Sequence, residues 1–258
     1  MREKVNPIEH LVLFLVSLVA NTFSALSGGG AGLLQFPVLI FLGLSFSIAL
    51  ATHKVASVAL GLGAILRYSS TSHLDRRFIL IMILAGVPGV VLGGHLIIFV
   101  PDDTAILALG VLTGCLGLYS IFKPTLGQNY SPKNRNSSGY LYGSGVLFLL
   151  GVLNGSLTSG TGLFVTLWLV AWFGMDYQRA VAYTLILVGL FWNGAGAITL
   201  GMLSDIHWTW LPALLLGSLI GGYLGSHLAI KHGSRWIKRA FEVVTLLISA
   251  KLIWVSFS

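Results

Sequence analysis

The sequence predicts an all-α polytopic membrane protein built from two inverted-topology repeats. Each repeat is a glycine-broken, re-entrant helix pair followed by three transmembrane helices. Three observations predict this. The 258 residues are 55% hydrophobic and only 9% charged, against about 25% charged in a soluble domain, and they hold several apolar runs near the ~20 residues that cross a bilayer. A glycine-rich interruption, Ser27-Gly28-Gly29-Gly30-Ala31-Gly32, returns in similar form at Leu157-Thr158-Ser159-Gly160-Thr161-Gly162. Loops at equivalent places in the two halves also carry opposite charge.

Taken in order, Met1-Arg2-Glu3-Lys4, an apolar run and Thr22-Phe23-Ser24-Ala25 loosely resemble a cleavable signal. The same run has an internal counterpart before Thr158, so it reads as a retained first helix over about 8–26. Three consecutive glycines cost roughly 1 kcal/mol each against Ala inside a helix, so the helix breaks there. Lipid tolerates broken backbone only where protein surrounds it or where it lines a polar cavity. A second helix over about 31–42 is expected to start at the break, turning free N–H groups and a positive dipole end to that cavity. Such an end suits an anion. Close helix packing by small residues is the plainer reading of one such break, but it does not account for the recurrence.

Apolar helices come next at about 46–69, 77–99 and 104–122, then a polar linker from Lys123 to Ser138 with Pro124, Gly127 and Pro132. The second broken pair precedes helices at about 177–200, 208–230 and 236–257. The expected division is 1–122 as the N-terminal repeat, 123–139 as a cytoplasmic linker and 140–258 as the C-terminal repeat. The stretch 8–26 could reach about 28 Å, so an eight-span bundle is the alternative.

Displacing the chain on itself by 131 residues lays Ser27-Gly28-Gly29 on Thr158-Ser159-Gly160, Gly43 on Gly174, and Ala49 and Ala51 on Ala180 and Ala182. One residue of slippage later, Gly89, Gly93 and His95 fall on Gly221, Gly225 and His227. The basic loop from Arg67 to Arg77 corresponds to one holding only Asp205, and acidic Pro101-Asp102-Asp103 corresponds to the basic stretch Lys231–Arg239. Both pairs swap sign, so equivalent loops are expected on opposite sides of the membrane.

The net charge of +7 sits in short loops, which is the cytoplasmic bias of membrane proteins and calls for no nucleic acid. Cys115 is the one cysteine, so no disulfide and no cysteine-based metal site is expected. No cofactor is implied. The partners expected are the lipid bilayer, a small anionic substrate and, if transport is coupled, a proton; a homo-oligomer is allowed.

Ionisable residues inside a bilayer are costly and functional by default. His53 and Lys54, after Thr52, lie two turns into the helix beyond the first broken pair. A lysine near a positive helix end makes sense if an anion joins them; the plainer reading is a snorkelling Lys54 and a packing His53. Asn21, Ser24, Ser27, Gln35 and the backbone of Gly28, Gly29 and Gly30 belong to the first break. Asn154, Ser156, Thr158, Ser159, Gly160, Thr161 and Thr166 belong to the second, and Tyr183, Thr184 and Asn193 to the helix after it. These neutral groups can strip water from a small oxyanion without holding it irreversibly. No Asp or Glu lies deep in a predicted span, so a cation site is poorly supported. His95 and His227 could titrate, but they read more simply as packing.

Enzyme readings are weaker. There is no His-Glu-x-x-His, and Ser159, the one candidate for a serine-type nucleophile, has a glycine at its repeat position. A structural or assembly subunit is a further alternative.

The run Ser27-Gly28-Gly29-Gly30-Ala31-Gly32, Phe36-Pro37-Val38-Leu39, Gly43-Leu44 and Ala49-Leu50-Ala51-Thr52, with Gly160-Thr161-Gly162, Gly174 and Ala180-Val181-Ala182-Tyr183-Thr184, resembles the sulfite exporter TauE/SafE family. The resemblance implies a secondary transporter in the bacterial inner membrane, exporting sulfite, sulfoacetate or other organosulfonates. It departs from the family at His53-Lys54, where a small or apolar residue is usual, which bears on the charge or size of the anion.

Overall fold

The structure is a computed structural model and describes residues 7–69, 74–97, 102–123, 125–157 and 160–255. Within them the regular elements are helices: α1 (Pro7–Ser27), α2 (Gln35–Phe41), α3 (Phe46–Tyr68), α4 (Arg76–Leu96), α5 (Asp102–Phe122), α6 (Ser137–Leu157), α7 (Thr161–Phe173), α8 (Tyr177–Leu203) and α9 (Leu211–Val255). Six of the described helices, α1, α3, α4, α6, α8 and α9, are long and apolar enough to cross a membrane. α9 is divided at Gly233, whose φ of 76° and ψ of 179° are open almost only to glycine. Its legs, 211–232 and 234–255, each reach about 33 Å, enough for a hydrocarbon core of ~30 Å. α2 and α7, of 7 and 13 residues, reach only about 10 and 20 Å.

The faces of α1 show how the sequence suits lipid. Leu11, Val12, Leu15, Val19 and Phe23 are exposed, whereas Ser17, Asn21 and Ser24 are buried. The apolar stripe faces outward and the polar stripe faces other helices, as expected where lipid replaces water and small or polar groups join helices. α3 is the innermost long helix, 72% buried over its apolar window. It therefore carries Thr52, His53, Lys54 and Ser57 into the interior. Asp75 caps α4 by accepting from the amides of Arg77 (2.9 Å) and Phe78 (3.4 Å), and Asp176 caps α8 by accepting from Arg179 (2.8 Å). Each such cap contributes about 1 kcal/mol.

Glycines set the closest helix contacts, and they do so in matching places. A Cβ at Gly221 or Gly225 on α9 would lie within 2.6 Å of the carbonyl oxygens of Leu18 and Thr22 on α1. On α4, Gly89 and Gly93 meet the carbonyls of Phe148 and Val152 on α6 in the same manner. The helix before each break thus packs on the other half's glycine-marked helix.

Buried apolar residues form two clusters among the described residues. One joins Leu13 of α1, Phe36 and Leu39 of α2, Ala49 and Leu50 of α3, Leu200 of α8 and Trp210–Leu214 at the start of α9. The chain leaves this cluster along α1 and is back in it at α2. The other cluster joins Tyr68 of α3, Phe78 of α4, Phe173 of α7, Tyr177 of α8 and Phe241 of α9, with Tyr140 of α6 packed against it. α6 and α7 contribute to it along their length, from Leu147 and Leu150 to Leu163 and Phe173. α3 runs from the first cluster to the second.

Three features differ from the sequence expectation. The helix expected over 31–42 begins only at Gln35, because Ala31–Leu33 form a 3-10 turn after the left-handed Gly30. The basic loop expected between the last two helices contracts to the single break at Gly233. The linker is docked: Ser131 N–H donates to Gly174 O (2.8 Å), Lys133 N–H to Phe173 O (3.1 Å), and Arg135 stacks on Phe78 at 4.3 Å.

Candidate functional site

The first break is built by local hydrogen bonds. The amides of Gly28 and Gly29 both donate to Ser24 O (2.9 and 2.8 Å), and the Ser27 hydroxyl sits within reach of Phe23 O (2.9 Å) and Gly29 O (3.0 Å). Gly28, Gly29 and Gly30 have φ of 88°, 143° and 105°, a region L side chains avoid. The second break turns at Gly160 (φ 75°), and Thr161 opens α7 directly after it. The breaks touch: a Cβ on Gly29 would lie 2.6 Å from the backbone of Gly162. Thr166 donates to Gly28 O (2.7 Å) and its hydroxyl pairs with that of Thr184 (2.9 Å), pinning the first break to α7 and α8.

A cavity of about 30 Å³ lies where they meet, room for a few water molecules. Its polar wall comprises backbone of Gly29, Gly30 and Gly162 with the side chains of Ser24, His53, Ser57, Asn154, Thr161, Thr184 and Asn193. Leu60, Leu185, Val188 and Gly189 close it on the apolar side. No carboxylate is among the described lining residues. Ser24 Oγ is buried and has no hydrogen-bond partner among the described residues, a state that costs about 1–3 kcal/mol unless something polar answers it.

His53 Nδ1 lies 3.1 Å from Gln35 Oε1, and Nε2 lies 3.2 Å from Ser57 Oγ. A carbonyl oxygen only accepts, so Nδ1 carries the proton, and Nε2 of the neutral ring accepts from Ser57. Behind Gln35, Asn21 donates to Ser17 O (2.7 Å) and to Ser218 Oγ (3.0 Å). A polar chain therefore runs from the α1–α9 contact to the cavity wall.

Lys54 is fully buried and stands one layer behind the cavity. Its ammonium donates to Asn154 O (2.8 Å), Asn154 Oδ1 (2.6 Å) and Asn193 Oδ1 (3.1 Å), so its three N–H bonds have three acceptors. Asn154 in turn donates from Nδ2 to Thr161 Oγ1 (2.8 Å).

Of the residues singled out from sequence, Gly29, Gly30, His53, Asn154, Thr161, Thr184 and Asn193 line the cavity. Ser27, Gly28 and Gly160 shape the breaks beside it, and Lys54, Asn21 and Gln35 form the layer behind. Thr52 does not join them: its hydroxyl accepts from His207 N–H (3.0 Å) in the turn before α9. Thr158 and Ser159 lie outside the described residues. His95 and His227 are away from the site, His95 bonded to Val91 O (2.8 Å) and His227 accepting from Arg67 Nε (3.1 Å). Ser57 lines the cavity without having been expected, although it lies one turn beyond His53 and helical spacing carries that signal. The wall at Val188 and Gly189 belongs to a π-helical stretch, Leu185–Trp192, which apolar periodicity does not announce.

The chain matches the family model described as "Sulfite exporter TauE/SafE" over residues 13–252. It is 28% identical to the "Probable membrane transporter protein YfcA" of Escherichia coli strain K12, over 98% of this chain and 92% of that protein. It is 29% identical to a "Probable membrane transporter protein" of Haemophilus influenzae, over 94% of each. A more distant relative is the "Probable membrane transporter protein YunE" of Bacillus subtilis, 22% identical over 95% of this chain and 97% of its own length.

Proposed function

Because the chain belongs to the sulfite exporter TauE/SafE family, we propose that it exports small sulfur-containing anions across the bacterial inner membrane. The protein is a multi-pass membrane transporter of that family. Its substrates on this reading are sulfite, sulfoacetate or a related organosulfonate, held between the two breaks. The observation that carries it is the cavity itself: hydroxyls, amides and helix-start backbone, an unanswered Ser24 hydroxyl, and no carboxylate among the described lining residues.

The oxygens of a sulfonate accept from Ser24, from amide N–H groups at the break and from the start of α7, whose dipole end favours negative charge. Lys54 supplies the compensating charge from behind Asn154 and Asn193. Neutral first contacts keep the anion releasable, and the charge behind them offsets its loss of hydration on entry. His53 is the group on the wall able to carry a coupling proton; the charged group next to it among the described residues is Lys54, and no carboxylate faces it from α1, α2, α6 or α8.

On this reading the two halves are inverted repeats, which the exchanged glycine contacts, α1 on α9 and α6 on α4, support. The short α2 and α7 support re-entrant hairpins over eight full spans. Alternating access then consists of rocking one set of packed helices about the meeting point of the breaks.

Efflux of labelled sulfoacetate and of sulfite from loaded proteoliposomes tests the reading. We expect saturable efflux that unlabelled sulfonates inhibit. Efflux of a carboxylate or a halide, with none of either sulfur anion, would reassign the substrate.

A further inference from the structure

A second polar cleft of about 820 Å³ opens far from the breaks, where α5 ends, the linker begins and the second leg of α9 starts. Its floor is internally satisfied. Lys238 forms an ion pair with Glu242 and also donates to Ser120 O (2.5 Å), while Ser120 Oγ lies 3.0 Å from both Glu242 Oε1 and the Tyr177 hydroxyl. The charges on the floor cancel there.

The rim is different. Arg235 and Arg239 lie one turn apart on the same face of α9 and both line the cleft. Both are exposed, and neither has a hydrogen-bond or ion-pair partner among the described residues. Thr125, Gln128 and Asn129 of the linker form the facing polar wall. Ile121 lines the cleft and is exposed, as are its neighbour Phe122 at the end of α5 and Trp236 and Val243 on α9. Trp236 carries His232 against its ring at 5.3 Å. A tryptophan beside basic residues at the end of a spanning helix marks the headgroup level of a bilayer.

We propose that this cleft binds the phosphate of an anionic lipid headgroup. Guanidinium forks match phosphate oxygens two at a time, and two of them unpaired on one face leave a positive charge that a phosphodiester offsets in part. The exposed Ile121, Phe122 and Val243 offer the acyl chains a path that a soluble phosphate would not need. The site is independent of the export cavity: it lies where the second leg of α9 starts, and Lys238 is a positioning residue for the floor rather than a ligand.

The test uses the purified full-length protein. Native mass spectrometry and thermal unfolding are followed in detergent with added phosphatidylglycerol, with phosphatidylcholine, and with inorganic phosphate or glycerophosphate. We expect phosphatidylglycerol to be retained and to raise the unfolding temperature, with no such response to phosphatidylcholine or to the soluble phosphates. Arg235→Gln/Arg239→Gln should weaken that lipid's binding roughly 25-fold, about fivefold per arginine, and Arg235→Lys/Arg239→Lys should recover part of it. Lys231→Gln, a charge change of the same sign outside the cleft, should leave retention unaltered. Retention equal in the wild type and the double glutamine variant would overturn the site. Stabilisation by soluble phosphate as strong as by the lipid would overturn the lipid as its occupant. The lysine pair guards against a folding defect, since a variant that folds like the wild type and still binds no better than the glutamine pair also counts against phosphate recognition.

Discussion

Lys54 brings an ammonium into the protein interior with carbonyl oxygens and, among the described residues, no carboxylate to meet it. Removing one partner of a desolvated charge interaction commonly costs 2–5 kcal/mol, so Lys54→Gln should weaken anion binding by at least tenfold. A lysine serving only to tie α3 to α6 and α8 would instead lower the unfolding temperature and leave affinity alone. Ser24 gives the complementary case. Its hydroxyl has no partner to lose among the described residues, so Ser24→Ala should leave thermal stability unchanged or slightly raised. Anion affinity should fall by about 0.5–1.5 kcal/mol, the usual worth of one hydrogen bond. Isothermal titration with sulfoacetate and a melting curve, run on both variants, separate these roles.

Among elements, the breaks are where sequence and structure agree most closely, and the point at which they part has a local cause. Three glycines in an apolar run are a strong signal because helix propensity and lipid both act against them there. The segment just beyond the glycines is not readable in the same way: Ala31–Leu33 turn as a 3-10 segment since Gly30 hands the chain on from φ 105°, and nothing in Ala-Gly-Leu distinguishes that from a helix start. The break also predicts its own sensitivity. Gly29→Ala puts a methyl group into the backbone of Gly162 and should abolish transport with a large loss of stability. Gly43→Ala meets no atom within 4 Å and carries only the strain of a positive φ, about 1–2 kcal/mol. Flux and melting temperature measured on the pair should therefore diverge; equal effects would mean that the two breaks do not touch in the membrane.

At the scale of the whole molecule, the all-helical membrane class and the basic stretch at 231–239 are legible because both are written in composition. The exchange of partners between halves is legible only as coincident glycines, Gly89 and Gly93 with Gly221 and Gly225; which helix each meets depends on tertiary contacts that no local pattern carries. The π-helical wall escapes a sequence reading for the same reason, whereas Ser57, one turn beyond His53, is within reach of it. The arrangement predicts sidedness. In a Cys115→Ser background, single cysteines in the linker at 128–131, at 174–176 and at 231–235 should label from one side, and cysteines at 202–206 from the other. Labelling of 174–176 from the side of 202–206 would rule out the re-entrant hairpin in favour of eight spans.

The packing of α1 also bears on how the chain is made. α6 can dock on α4 as soon as it leaves the ribosome, since Phe148 and Val152 come after Gly89 and Gly93 by about 59 residues. α1 touches α2 and α3 early but waits for its main partner. Its own glycine partners, Gly217 and Gly221, are synthesised about 203 residues after Phe14 and Leu18, a delay of roughly 10–40 s at ordinary elongation rates. During that interval Ser17 and Asn21 have not yet met Ser218, and their polar groups must be sheltered by the insertion machinery or by lipid headgroups. α1 is therefore among the last of the described helices to find its place, and the docking of α9 completes the polar chain that reaches the cavity.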